Sequence, residues 1–122
     1  MQTDYRVHVD VDARVSVRIG QPLPDALRRM LPGVEAGWAF ITACNPMATP
    51  QTSAENQVAQ HRLRLELELR APQAQVLPGV GVGRNGWQEP SFFVIDVSLE
   101  TIDALMQRFH QLAVVRGVGD GP

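Results

Sequence analysis

The sequence predicts a single α+β domain that follows the ferredoxin-like order β-α-β-β-α-β from residue 38 onward. Three observations carry this prediction. Residues 5–19 alternate between apolar and polar side chains, which is the period of a strand with one buried face. Residues 92–97 are almost continuously apolar, as is typical of a central strand. Helix signals stand between and after the later strands, at Thr52 and Ser98.

The composition argues against several classes of protein. The chain has 122 residues, which suits one domain, and its net charge of −2 argues against a nucleic-acid partner. Its basic residues are all arginine, which excludes a Schiff-base or P-loop lysine and suggests a bacterial source. There is no signal-peptide pattern, no apolar run near the roughly 20 residues of a membrane span, and one cysteine. We therefore expect a cytoplasmic protein without a membrane partner.

The alternating run at the start is long for one strand. Residues 5–19 therefore predict either a β-hairpin or one long bent strand, with the break near residues 12–13. His8, Asp10 and Asp12 share the polar face and are residue types that bind divalent ions. A solvated strand face accounts for them as well, and we expect no metal or other cofactor.

A short helix and a buried strand come next. Residues 22–31 have helical apolar spacing, which the Pro-Gly pair at 32–33 ends. Residues 38–43 form an apolar run that predicts a buried strand. The Asn-Pro pair at 45–46 ends it, because proline has no N–H to donate to a sheet.

The following stretch carries conflicting signals. Thr52 and Glu55 fit a capping box, so a helix should begin there. Residues 62–70 alternate like a strand, yet opposite charges recur four residues apart and no β-branched residue occurs. We predict a helix that extends to about Arg70. Because this helix is apolar on two sides, we expect both sides to be covered.

The second half begins with a predicted strand over residues 75–82. Residues 81–86 formally match G-x-G-x-x-G, but Pro90 and a strand follow instead of the helix that a dinucleotide site needs. Asn-Gly at 85–86 is a hairpin turn signal, which favours a β-hairpin tip.

The last elements are a strand at 92–97, a helix over 98–112 and a strand at 113–116, followed by a flexible tail over 117–122. Together these elements predict one domain over residues 1–122. Its sheet should be mixed or antiparallel, with the two longer helices on one face.

Three segments, at these spacings, resemble one known family. They are residues 40–46 (FITACNP), 87–92 (WQEPSF) and 108–114 (RFHQLAV); Ser53 and the Glu-Asn pair at 55–56 also match. The family consists of small, mostly bacterial proteins catalogued as domain of unknown function three-two-nine-three. The resemblance implies a small cytoplasmic protein with no assigned activity.

This chain departs from the family pattern at two positions. Cys44 stands where an aromatic residue is common, and His110 stands where glycine is usual. A role for either residue would therefore be particular to this protein.

Polar residues of these motifs mark the candidate site, and most of them lie at the ends of predicted elements. They are Thr42, Asn45, Asn56, Glu89, Ser91 and Gln111. Amides both donate and accept hydrogen bonds, so such a cluster suits a nucleobase, an amide or a sugar. Structural roles in turns and helix caps remain an alternative for the same residues.

The leading functional hypothesis is a non-catalytic binding or regulatory module. Asn45, Glu89 and Gln111 would line a pocket for a small polar ligand or a protein segment. A small hydrolase or transferase is the alternative, with Glu89 as general base or Cys44 as nucleophile beside His110.

A third hypothesis is a protein interaction module. An exposed strand within residues 5–19 would pair with another chain through the edge of the sheet, for example as a homodimer.

Overall fold

The computed structural model describes residues 4–10, 13–18, 21–33, 36–44, 52–82, 88–109, 111 and 115–118. Within these ranges the elements, in chain order, are β1 (Asp4–Asp10), β2 (Ala13–Val17), α1 (Asp25–Arg28), β3 (Gly37–Ile41), α2 (Ser53–Arg70), β4 (Gln75–Val82), β5 (Gln88–Ile95), α3 (Leu99–Arg108) and β6 (Val115–Val118).

The six described strands form one curled sheet in the order β2-β1-β4-β5-β3-β6. Each of the five neighbouring pairs is antiparallel, so the described sheet is antiparallel and not mixed. Together with the helices, this sheet confirms the predicted α+β class. The alternating N-terminal run forms two paired strands, with a register irregularity between His8 and Asp10. Of the glycine-rich hairpin tip predicted over residues 81–86, Gly81 and Val82 belong to β4, and residues 83–86 lie outside the described residues.

The two longer helices cover one face of the sheet. The side chains that form this core come from β3, β5, α2 and α3 and include Ala39, Ile41, Val94, Leu63, Leu67, Ile102 and Leu105. All of them are at most 2% exposed. Helices α2 and α3 therefore share a face, as the sequence predicts.

The opposite face carries a second core, built around α1. Leu23 and Leu27 pack there against residues from β1, β2, β3 and β5, namely Val7, Val17, Trp38, Phe40, Phe93 and Ile95. The prediction of helices on one face therefore holds for the two longer helices, whereas the short helix α1 covers the opposite face. Successive residues of a strand point to opposite faces, and both sets are apolar in β3, so both faces must be covered.

Helix α2 confirms the prediction for the ambiguous stretch. Its capping box is complete: the Thr52 hydroxyl accepts from the Glu55 N–H at 3.1 Å, and the Glu55 carboxylate accepts from the Thr52 N–H at 3.1 Å. Two of the predicted i,i+4 ion pairs form, between Arg64 and Glu68 and between Glu66 and Arg70.

The expectation that both apolar sides of α2 are covered is wrong. Leu63 and Leu67 are fully buried, whereas Leu65 and Leu69 are 45% and 79% exposed. The sheet and α3 contact one side of this helix, and its other apolar side faces outward.

Several element ends differ from the predicted ones. Helix α1 is limited to residues 25–28, and α3 ends at Arg108 rather than near 112. Strand β5 begins at Gln88 instead of residue 92, so Glu89 and Ser91 lie within the strand and not before it.

Strand β6 extends through Gly117 and Val118, which were predicted as tail. Gly117 pairs with Trp38 of β3, and a Cβ at Gly117 would lie 2.7 Å from the Trp38 ring. Glycine therefore lets the edge strand approach the indole. Residues 119–122 of the predicted tail lie outside the described residues.

Candidate functional site

Gln60 connects the middle of α2 to the end of β3. It is 8% exposed, and its Oε1 accepts a hydrogen bond from the Ala43 N–H at 2.7 Å. Gln60 lies three and seven residues before Leu63 and Leu67, so the helix face that packs on the sheet also directs this amide inward. The amide satisfies a backbone donor where the β3 ladder has already ended.

Thr42 connects β3 to β5. Its hydroxyl donates to the Pro90 carbonyl at 2.7 Å and accepts from the Cys44 N–H at 3.0 Å. The hydroxyl also lies 3.2 Å from Gln60 Oε1. The hydroxyl of Thr42, a predicted site residue, thus both donates and accepts hydrogen bonds within the protein. These bonds give Thr42 a structural role.

Cys44 is buried beside the same carbonyl. Its thiol is 3.6 Å from the Pro90 oxygen, and the residue is 1% exposed. Burial raises the pKa of the thiol, the Thr42 hydrogen bond acts in the opposite direction, and the negative charge of Glu89 raises it further. The thiol therefore stays neutral near pH 7, which weighs against Cys44 as a nucleophile. His110 lies outside the described residues.

Gln111 holds the chain that follows β3. Its Nε2 donates to the Cys44 carbonyl at 3.1 Å and lies 3.5 Å from the Phe109 carbonyl. Its backbone N–H donates to Met106 at 2.9 Å, next to the end of α3. Gln111 therefore links α3 to the segment after β3, and this contact uses its amide N–H donor.

Ser91 and Glu89 lie on the same face of β5. Ser91 is 5% exposed and donates to the Glu89 carbonyl at 3.1 Å, while the Glu89 side chain is half-buried. Asn56 is half-buried near the start of α2. Asn45, the remaining predicted site residue, lies outside the described residues.

A cleft of about 410 Å³ lies between the first turns of α2 and the β4–β5 pair. Its hydrogen-bonding lining consists of Ser53, Asn56, Gln57, Gln60, Gln88 and Ser91, and its apolar lining includes Pro78, Pro90 and Phe92. Two predicted site residues, Asn56 and Ser91, are thus brought together there. Among the residues that the structure describes, no charged side chain lines this cleft.

Phe92 forms the aromatic wall of the cleft. The guanidinium carbon of Arg64 lies 5.8 Å from the centroid of its ring, within cation–π distance. The Arg64 Nε is in turn 3.6 Å from the Glu68 carboxylate, so an ion pair outside the cleft positions the guanidinium beside the Phe92 ring.

Sequence reasoning missed Gln57, Gln60 and Gln88. For Gln60 a signal was present, because it is the polar member of an otherwise apolar helical stripe with Leu63 and Leu67. Gln57 and Gln88 are exposed glutamines like others in the chain, and only the folded structure shows that they line the cleft.

Comparisons with known proteins give one positive result. Searches of the curated proteins and of the solved structures return no match to this chain. None of the described helices has the length and apolar character needed to cross a membrane. The family model described as protein of unknown function (DUF3293) matches residues 41–114, which is more than half of the 122 residues. The chain therefore belongs to this family of proteins of unknown function.

Proposed function

We propose that this protein is a non-catalytic binding module that holds a small, neutral, polar ligand in the cleft between α2 and the β4–β5 pair. The observation that carries the proposal is the cleft lining, in which four amide and two hydroxyl side chains face an aromatic wall. Its volume of about 410 Å³ falls within the range of small-molecule sites.

The chemistry of the lining indicates the class of ligand. At the rim, the amides of Gln57 and Gln88 each carry a donor and an acceptor, which complements primary amides, nucleobases and other planar groups with the same pattern. Phe92 can stack on such a plane. Without a charged side chain among its described lining residues, the cleft offers no ionic partner to an anionic or cationic ligand.

The walls of the cleft are held in place by internal bonds. Gln60 is bonded to the Ala43 N–H, and Ser91 is bonded to the Glu89 carbonyl. Gln57 and Gln88 are exposed at the rim, where their amides can reach a ligand. Because Gln60 and Ser91 are already buried and hydrogen-bonded, binding a ligand needs less ordering of these side chains.

The proposed pocket is lined by different residues from those that the sequence predicted. The Gln111 Nε2 donates to the Cys44 carbonyl, and Asn45 lies outside the described residues. The proposed lining therefore uses Asn56, Gln57 and Gln88. Glu89 influences the Cys44 thiol but does not line the cleft, and an enzyme built on either residue is not favoured.

We also infer that residues 37–118 have a ferredoxin-like arrangement. The support is the antiparallel order β4-β5-β3-β6, which places β5 between the two strands that α2 connects. In this arrangement α2 begins beside the β4–β5 pair, where the cleft is found. A cytoplasmic bacterial protein remains the expectation from the arginine-only composition and the buried single cysteine.

A thermal-shift screen of the full chain tests the ligand class. One panel contains neutral nucleobases, nucleosides, primary amides and sugars, and the other contains nucleotides, charged amino acids and divalent metals. A ligand at about 100 times its Kd should add about 2.7 kcal/mol and raise the Tm by roughly 10 °C. Stabilisation by neutral planar compounds supports the proposal. Stabilisation only by charged compounds or metals, or by none, contradicts it.

A further inference from the structure

Two of the polar side chains that line the cleft are almost completely buried. Gln60 is 8% exposed and Ser91 is 5% exposed, whereas Gln57 and Gln88 are exposed at the rim. We refer to Gln60 and Ser91 as the buried pair. A ligand that fills the cleft excludes water from these two side chains, so its own groups must match the hydrogen-bonding capacity that they leave open.

The buried amide of Gln60 presents its nitrogen to a ligand. Its Oε1 accepts from the Ala43 N–H at 2.7 Å and lies 3.2 Å from the Thr42 hydroxyl. The amide nitrogen could not take the place of this oxygen, because it donates hydrogen bonds and does not accept them, so the orientation of the amide is fixed. No residue in the described part of the chain bonds to Gln60 Nε2, and this group therefore offers a donor in the cleft.

Ser91 offers the opposite polarity. Its hydroxyl donates to the Glu89 carbonyl at 3.1 Å, which uses the single proton that a hydroxyl has. The oxygen lone pairs are then what Ser91 offers to a ligand, so it acts as an acceptor in the cleft. The buried pair therefore consists of one donor and one acceptor, and a bond to the backbone sets the polarity of each.

We propose that the ligand presents an amide edge to the buried pair, with a carbonyl oxygen that accepts from Gln60 Nε2 and an N–H that donates to Ser91 Oγ. This inference rests on the proposed binding function and narrows its ligand class to planar cyclic amides. In such a ring the carbonyl and the N–H lie side by side on one edge, and Phe92 provides a surface on which the ring can stack. A ring that lacks the N–H leaves Ser91 without a partner, which lowers affinity.

Matched pairs of neutral compounds test the amide edge. The parents 2-pyridone and uridine carry the carbonyl beside the N–H, and N-methyl-2-pyridone and 3-methyluridine have a methyl group in place of that hydrogen. Calorimetric titration of the full chain should show binding of at least one parent, with its methylated partner bound about tenfold more weakly or worse.

The outcomes separate this inference from the binding function on which it rests. Equal affinity within each pair, or binding only of neutral compounds without an amide edge, would overturn the inference and leave the binding function standing. If no neutral compound binds, both are overturned.

Gln60→Glu tests the donor of the buried pair. The glutamate keeps an oxygen for the Ala43 N–H but replaces the amide nitrogen by a carboxylate oxygen, which repels the ligand carbonyl. We expect binding of the parent compound to weaken about tenfold or more. The control Gln107→Glu makes the same change of charge at an exposed position of α3 and should bind as wild type does, and circular dichroism checks that both variants fold. Unchanged affinity in a folded Gln60→Glu variant would contradict the proposed contact.

Ser91→Ala tests the acceptor without placing a charge in the cleft. It should weaken binding of the parent compound about tenfold but leave binding of the methylated partner unchanged, because that partner has no N–H to donate to Ser91. Equal weakening of both compounds would mean that Ser91 acts on the shape of the cleft and not on the ligand N–H, which would overturn the assignment.

Discussion

The side chain of Gln60 accepts a hydrogen bond from the backbone of Ala43 at 2.7 Å. This contact joins the middle of α2 to a residue two positions after the end of β3, and Gln60 also lines the cleft. Ala43 is fully buried, so water cannot replace the amide if Gln60 is lost.

Replacing Gln60 with leucine should therefore destabilise the protein. Gln60→Leu keeps the side-chain volume close to that of glutamine but leaves the buried Ala43 N–H without its acceptor, which costs about 1–3 kcal/mol. Urea denaturation measures the loss. The control Gln107→Leu makes the same change at an exposed position of α3 and should stay within about 0.5 kcal/mol of wild type. Equal losses in the two variants would refute the structural role of Gln60.

The hydroxyl of Thr42 should matter more than its methyl group. Thr42→Val removes the donor to Pro90 and the acceptor for the Cys44 N–H, with an expected loss of about 1–3 kcal/mol. Thr42→Ser retains the hydroxyl and should recover most of that loss in the same denaturation assay. If serine is no better than valine, the hydrogen bonds do not account for this position.

A methyl group at Gly37 should be poorly tolerated. The Gly37 carbonyl accepts from the N–H groups of Asp96 and Val97, and a Cβ on Gly37 would overlap the Val97 carbonyl oxygen. Gly37→Ala should cost about 2–3 kcal/mol, because the backbone must move. The control is Gly33→Ala, where nothing lies within 4 Å of the added carbon. A thermal melt in which both alanine variants match wild type would show that the close approach is not rigid.

The buried thiol of Cys44 should make stability fall at alkaline pH. Burial raises the folded-state pKa, so the thiol keeps its proton where an unfolded cysteine, with a pKa of about 8.5, loses it. The folded state then binds more protons, and the free energy of unfolding decreases as pH rises above about 8.5, by at most about 1.4 kcal/mol per pH unit for this group. Below that pH the contribution is constant.

Urea denaturation between pH 7 and 10 checks this slope in wild type and in Cys44→Ala. The alanine variant has a different absolute stability, so the comparison concerns only the change with pH. Its alkaline slope should be shallower than that of wild type. Identical slopes would mean that the thiol does not titrate differently in the folded and unfolded states.

Local patterns predicted the elements that depend on local physics. The capping box at Thr52 and the four-residue charge spacing identified α2 despite its strand-like alternation, because capping and i,i+4 contacts are properties of the segment itself. The continuous apolar run around Phe93 likewise identified a buried strand.

Features that depend on distant contacts were not predictable in this way. The extension of β6 through Gly117 depends on the Trp38 ring of another strand, and the exposure of Leu69 depends on which side of α2 the sheet covers. In the same way, Gln57 and Gln88 meet at one cleft only because α2 begins beside β5. Thr42 and Gln111, two residues of the predicted site, donate hydrogen bonds to backbone carbonyls of distant residues, which local patterns do not reveal.

The binding proposal is tested most directly by locating a ligand with two matched glutamine variants. A neutral compound that stabilises wild type is titrated by calorimetry into wild type, Gln57→Ala and Gln107→Ala. Both glutamines are exposed on helices, but only Gln57 lines the cleft. We predict that Gln57→Ala weakens binding by about tenfold, the loss of one hydrogen bond to the ligand, while Gln107→Ala binds as wild type does. Equal affinity in all three proteins would place the ligand elsewhere and contradict the assignment of the cleft.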